Sequence, residues 1–251
     1  MATASAYSRE VPTSRTTLPG RRFDHRFFTG MSLLMLLTAF AGFARTYFLA
    51  GVFRAPLPSL IIHVHGAAFS CWVLLLVVQS SLVAAGRVSV HRSLGVAGFL
   101  VGCAMLVLGV LAATDSLVRG GGPPGRDVKA FYIVPLTDMV IFGTLLFFAF
   151  RRRFDPPAHK RLIYIATTGL LIAAVARLPL AFSQRNAAAA GPLTWVFLLI
   201  LATYDLWSTR RIHPATRWAG AFLIFVQMVR FPIGQTAAWH AFATWVQAAA
   251  R

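Results

Sequence analysis

The chain has 251 residues, 57% hydrophobic and only 12% charged, with a formal net charge of +17. A soluble domain alternates apolar with polar residues; here the apolar residues come in long runs, which excludes that class. The basic residues punctuate those runs, so the charge implies anionic lipid head groups as partners and no nucleic acid.

Residues 1–27, rich in Arg, Ser and Thr, predict a disordered basic cytosolic arm. The first apolar run, 28–53, contains MSLLMLLTAFAGFA at 31–44, which has the look of a signal-peptide core whose cleavage would leave six spans. The run continues past Arg45 through Tyr47, Phe48 and Leu49, which favours an uncleaved span. Six further spans follow at 59–85, 93–115, 130–150, 161–183, 192–208 and 217–236. Each is near the roughly 20 residues that a helix needs to cross hydrocarbon. The loops VRGGGPPGRDVK (118–129) and QRNAAAAG (184–191) break the pattern. Residues 237–251 place Trp239, Phe242 and Trp245 at helical spacing and predict a short amphipathic helix at the outer interface. The expected fold is therefore all-α, a polytopic transmembrane helical bundle of seven spans over 28–236.

Lys and Arg set the direction. With the N-terminus inside, 15 of them fall in inside segments and six in outside segments, an asymmetry that predicts N-inside, C-outside. Spans two to seven read as helical hairpin repeats: the inside turns RVSVHRSLG, RRRFDPPAHKRL and TRRIHPATRW each carry Arg and then His at a helix start. His159 is followed 18 residues on by Arg177 in ARLP, and His213 is followed 17 on by Arg230 in VRFP. His91, Arg92, His159, Lys160, Arg161 and His213 thus lie at the inner boundary, suited to lipid phosphate or to a second, inner ligand.

Three arginines lie within spans: Arg45, Arg177 and Arg230. His63, His65 and Asp138 occupy others. A charge in hydrocarbon costs roughly 2.5–3.5 kcal/mol on insertion scales unless it finds a partner. By the topology all six fall in the outer half and come from five helices, so they predict one polar site. Three arginines face one carboxylate there, an excess that calls for an anion such as a carboxylate, phosphate or haem propionate. The structural alternatives are arginines that snorkel to head groups and a polar network that only locks helix packing.

His63 and His65 in HVHG are about 200° apart on a helix, so they cannot share a face. Phe69 and Trp72 lie on the His65 side and Gly66, Ala67 and Ser70 on the His63 side, which makes His65 the favoured ligand candidate. b-type haem is the most specific cofactor candidate, with arginine-bound propionates and His240 the one other histidine able to reach that depth. His63, His65 and Asp138 also have ligand types for iron or zinc. Cys71 and Cys103 sit in apolar runs as packing residues. The only lysines, Lys129 and Lys160, are at helix edges, which excludes a retinal Schiff base in span seven. No Walker A, GxSxG or HExxH sequence is present.

The set HVHG, HRSLG, PLTDM, AHKRL with a following Ala-Thr, YDL and IHPATRWAG, spread over 58–250, resembles a group of bacterial multi-pass membrane proteins with no assigned activity. The His-bearing hairpins are more distantly similar to cytochrome b561-type membrane proteins, from which the chain departs by lacking paired histidines on apposed helices for two haems. The resemblance implies a bacterial inner membrane and a helical bundle. The functions expected are binding of an anionic ligand or cofactor, haem with a redox role among them; carriage of a small anion or lipid-like acid; or a non-catalytic accessory role.

Overall fold

The structure, a computed structural model, describes residues 19–55, 58–123, 125–179 and 189–251. Among them there are eight α-helices and no strand: α1 (Pro19–Phe43), α2 (Leu60–Ala84), α3 (Val88–Val118), α4 (Val128–Arg151), α5 (Pro156–Val175), α6 (Ala190–Thr209), α7 (Pro214–Gly234) and α8 (Ala237–Ala249). A π-helical turn, Ala44–Phe48, prolongs α1. The apolar runs form helices because bilayer-length segments must satisfy every backbone polar group internally. Side chains set their starts: Asp127 caps α4 at Ala130 N (2.7 Å), Asp155 caps α5 at Ala158 N (3.3 Å) ahead of Pro156, and Thr236 caps α8 at Trp239 N (3.2 Å).

Among the described residues six helices are long and apolar enough to cross a membrane. α7 joins them only together with α8, across a bend of 85°, which makes a seventh. The all-α bundle is as expected, but several boundaries differ. The basic arm was expected to run to residue 27, yet α1 starts at Pro19; residues 1–18 lie outside the described residues. The reason is aromatic packing: Phe27 stacks on Tyr204 of α6 (3.8 Å between centroids) and Phe23 packs on Trp207 (4.4 Å). α5 begins at Pro156 and ends at Val175, ahead of the expected 161–183; residues 180–188 lie outside the described residues.

α5 is the centre of the bundle, packed against α1, α4, α6 and α7. Its run of small residues permits this. At Gly42 of α1 a Cβ would fall 2.2 Å from the Ala174 carbonyl oxygen, so the two backbones touch there. Gly66 plays the same part for α2: its Cα faces the Tyr47 ring, 2.9 Å from where a Cβ would be. The connections at 85–87, 152–155 and 210–213 gather at one end, here the arginine-rich end. α8 crosses the opposite end, held by Trp239 Nε1 donating to Lys129 O (2.8 Å) and Gln247 Nε2 to Leu117 O (2.9 Å).

Candidate functional site

Two of the six residues expected to converge form a bonded pair. Arg230 of α7 donates from Nη1 to Asp138 Oδ1 of α4 at 2.7 Å, and both side chains are buried. Gln227, one turn earlier on α7 and 1% exposed, accepts from Trp195 Nε1 at 2.7 Å. The other four lie apart from that pair. Arg177 is exposed; it donates to Ala173 O (2.7 Å) and stands 4.9 Å over the Phe43 ring. Arg45 is exposed in the π turn, 5.2 Å over the Phe53 ring. His65 packs at a tilt on Phe69 (4.2 Å between centroids), near the Leu108 carbonyl and within reach of the Arg177 charge. His63 is exposed beside Tyr47, whose hydroxyl donates to its carbonyl at 3.3 Å. Of the six, then, Arg230 and Asp138 are in contact and Arg177 acts on His65, while Arg45 and His63 lie at exposed positions. The set His63, His65, Asp138 and His240 makes no metal centre: among the described residues no three His, Cys, Asp or Glu side chains come together.

The arginine-rich end is the denser one. Asp205 of α6 is fully buried, with both oxygens occupied. Oδ1 accepts from Arg161 Nε (2.9 Å) and Nη2 (2.5 Å), and Oδ2 accepts from Thr216 Oγ1 (2.6 Å) and His213 N (3.0 Å). Arg161 also donates to Pro157 O at 2.8 Å and is 4% exposed. It therefore turns into the protein, and the expectation that it meets lipid phosphate is corrected: a buried carboxylate outcompetes the surface. His213 caps α7 by accepting from Ala215 N through Nδ1 (3.1 Å). Burial, then the Arg161 charge, holds its imidazole below the usual histidine range. Lys160 likewise has a protein partner, Asp24 of α1, at 2.6 Å to each oxygen; Tyr204 donates to the same carboxylate at 2.6 Å.

Between these groups lies a cavity of about 570 Å³ bounded by α1 to α5. Trp72, Leu76, Phe99, Leu146, Phe150 and Ile163 make it apolar. Trp72 is fixed by donating to Thr167 (3.1 Å), and Phe99 stacks on Phe150 at 4.2 Å to close α3 on α4. Its polar lining holds His91 from α3 and His159 from α5, whose charges are close enough to interact. It also holds Arg92, Arg153 and Lys160 against one carboxylate, Asp24, an excess of two positive charges. The volume is that of a small-molecule or cofactor site.

Both imidazoles are held by Nδ1. His159 Nδ1 lies 2.9 Å from Ala149 O, so it carries the proton and leaves the lone pair on Nε2. His91 Nδ1 is 2.8 Å from the Gln79 amide; the amide orientation that also serves Gly95 N and His91 O turns its nitrogen to the ring. His159, with Nδ1–H donated and Nε2 free, has what a ligating histidine needs from its surroundings; His91 in this amide orientation accepts at Nδ1 and carries its proton on Nε2.

Asp24, Gln79, Arg153, Tyr204 and Gln227 were not read from the sequence as site residues. Asp24 is the one with a signal: it is an acidic residue among arginines, four residues before the buried Phe28, on one face of a helix.

The fold and these buried ion pairs define a multi-pass integral membrane protein. Comparison with family models, curated proteins and solved structures finds no match, so the functional reading rests on the site itself.

Proposed function

We propose that this protein binds b-type haem in the five-helix cavity, with His91 and His159 as axial ligands. The observation that carries the reading is that two imidazoles from different helices line one apolar cavity, each held by its Nδ1. His159 presents an unprotonated Nε2 as it stands; His91 does so once the Gln79 amide turns its oxygen to Nδ1. The two excess positive charges match two propionates, and Arg92 and Arg153 have the forked donors that suit carboxylates. The aromatic side chains Phe99, Phe150 and Trp72 line the cavity with apolar surface suited to a flat ligand. Bound haem would supply one-electron chemistry near the arginine-rich face, which the excess of Lys and Arg favours as the cytosolic side.

The test is the absorption spectrum of the full-length protein purified after expression with haem supply. A Soret band lost in His91→Ala and in His159→Ala but kept in His213→Ala supports the reading. Retention of the band in the double variant His91→Ala/His159→Ala sinks it.

One observation favours a second ligand class, a hydroxyl-bearing anionic amphiphile. With the Gln79 nitrogen on Nδ1, His91 offers an Nε2 donor opposite the His159 acceptor, which suits an oxygen that both accepts and donates. A colourless protein that retains such a lipid in native mass spectrometry, and loses it in His159→Ala, would replace haem with this ligand.

A further inference from the structure

We propose that Arg230, Gln227 and Asp138 form a second site, for a small inorganic anion taken up together with one proton. The site lies toward the opposite end of the bundle from the cavity, between α4, α6 and α7, and does not depend on the haem reading.

Donors outnumber acceptors there. Arg230 and Gln227 are each 1% exposed, yet Arg230 Nε and Gln227 Nε2 are buried without a hydrogen-bond partner. They lie one turn apart on α7, so they fall on the same side of the helix. Arg230 spends Nη1 on Asp138 Oδ1, and Gln227 spends its oxygen on Trp195. Two buried donors left over call for an acceptor. On the α6 side Gly191 carries no side chain, and a Cβ there would touch the Gln227 oxygen alone, at 3.8 Å.

Charge then specifies the coupling. With Asp138 ionised the pair is neutral, and an added anion would leave one negative charge in the apolar interior. Arginine cannot give up its proton, so neutrality must come from the carboxylate. A proton taken from solvent onto Asp138 neutralises the carboxyl while Oδ1 keeps its hydrogen bond from Arg230 Nη1, and the anion accepts from the other edge of the guanidinium, at Nε, and from Gln227 Nε2. Uptake of one proton and one monovalent anion leaves the buried charge unchanged. The nearer ends of the packed elements carry other ionisable groups: Asp115 on α3 and Arg119 just past it, Lys129 and Tyr132 on α4, Arg177 beyond α5 and His240 on α8. Of these and Arg230, only Arg230 acts on Asp138.

The experiment is thermal unfolding of the full-length protein in detergent, titrated with chloride against gluconate at constant ionic strength. The wild type is expected to be stabilised by chloride at acidic pH, with affinity about tenfold weaker at alkaline pH. Asp138→Asn is expected to bind chloride alike at both, and Gln227→Leu to bind about tenfold more weakly. No chloride-specific shift in the wild type at acidic pH overturns the proposal, as does a pH dependence that survives Asp138→Asn. If Asp138→Asn does not fold, Gln227→Leu decides: unchanged chloride affinity in that variant overturns it.

Discussion

Asp205→Asn removes the charge from the most completely bonded carboxylate in the bundle. It takes four hydrogen bonds, two of them from Arg161, and has no exposed surface. Asparagine keeps the shape but has one acceptor, so its amide nitrogen must face either Arg161 or the Thr216 and His213 donors. Arg161, 4% exposed, is left as an uncompensated buried cation. Breaking a buried pair from one side costs about 3–5 kcal/mol. Arg161→Met from the other side should cost a similar amount, because it strands the carboxylate. In the double variant Arg161→Met/Asp205→Asn both charges are gone, so the loss is expected to be smaller than the sum of the two. The assay is the unfolding free energy in mixed micelles, followed by tryptophan fluorescence, with the coupling read from the cycle. A loss under about 1 kcal/mol in both single variants, with no coupling, would refute the account of this end of the bundle.

Three further outcomes follow from single contacts. His213 caps α7 only while Nδ1 is unprotonated, and its folded-state affinity for a proton is lowered. Its contribution is therefore full above the ordinary histidine range and is lost as pH falls through it, by about 1 kcal/mol for the cap. His213→Asn, which caps at any pH, should flatten that part of the stability–pH curve; an unchanged curve counts against the cap. Gly42→Ala puts a methyl group against the α5 backbone and should cost about 1–3 kcal/mol or more. Gly30→Ala on the same helix meets nothing within 4 Å, and should be neutral or stabilising by up to about 1 kcal/mol. Equal melting temperatures for the two variants would contradict the α1–α5 contact. Asp24→Asn strands the partly exposed Lys160 and the hydroxyl of the buried Tyr204, and should cost about 1–2 kcal/mol while raising proteolysis before Phe28; an unchanged digest contradicts the anchoring of α1.

The spans were legible because hydrocarbon leaves the backbone no alternative to helix, and a run of apolar residues shows its length directly. Helix ends were less legible. α1 reaches back to Pro19 through Phe23 and Phe27, whose packing partners Tyr204 and Trp207 lie nearly the whole chain away. The candidate site was legible as residue types at a depth but not as contacts. Arg45, Arg177 and Arg230 share a depth, yet only Arg230 meets the carboxylate, since rotation about each helix axis and the order of neighbours decide contact. The same limit hid the pairing of Arg161 with Asp205, which sit at matching depths on neighbouring helices. It also made His91, His159 and His213 look equivalent at three helix starts. Packing separates them: α3 and α5 turn His91 and His159 to one cavity, while His213 serves as a helix cap beside the Asp205 network.

The central claim is that His91 and His159 serve one bound haem. Its most direct measurement is a titration of haem into the full-length apoprotein in detergent, read by absorption and compared with His91→Ala and His159→Ala. The account expects one haem per chain in the wild type, with a low-spin spectrum when both ligands are present, and loss of that spectrum in either variant. A wild type that takes up no haem, or variants with the wild-type spectrum, would contradict it.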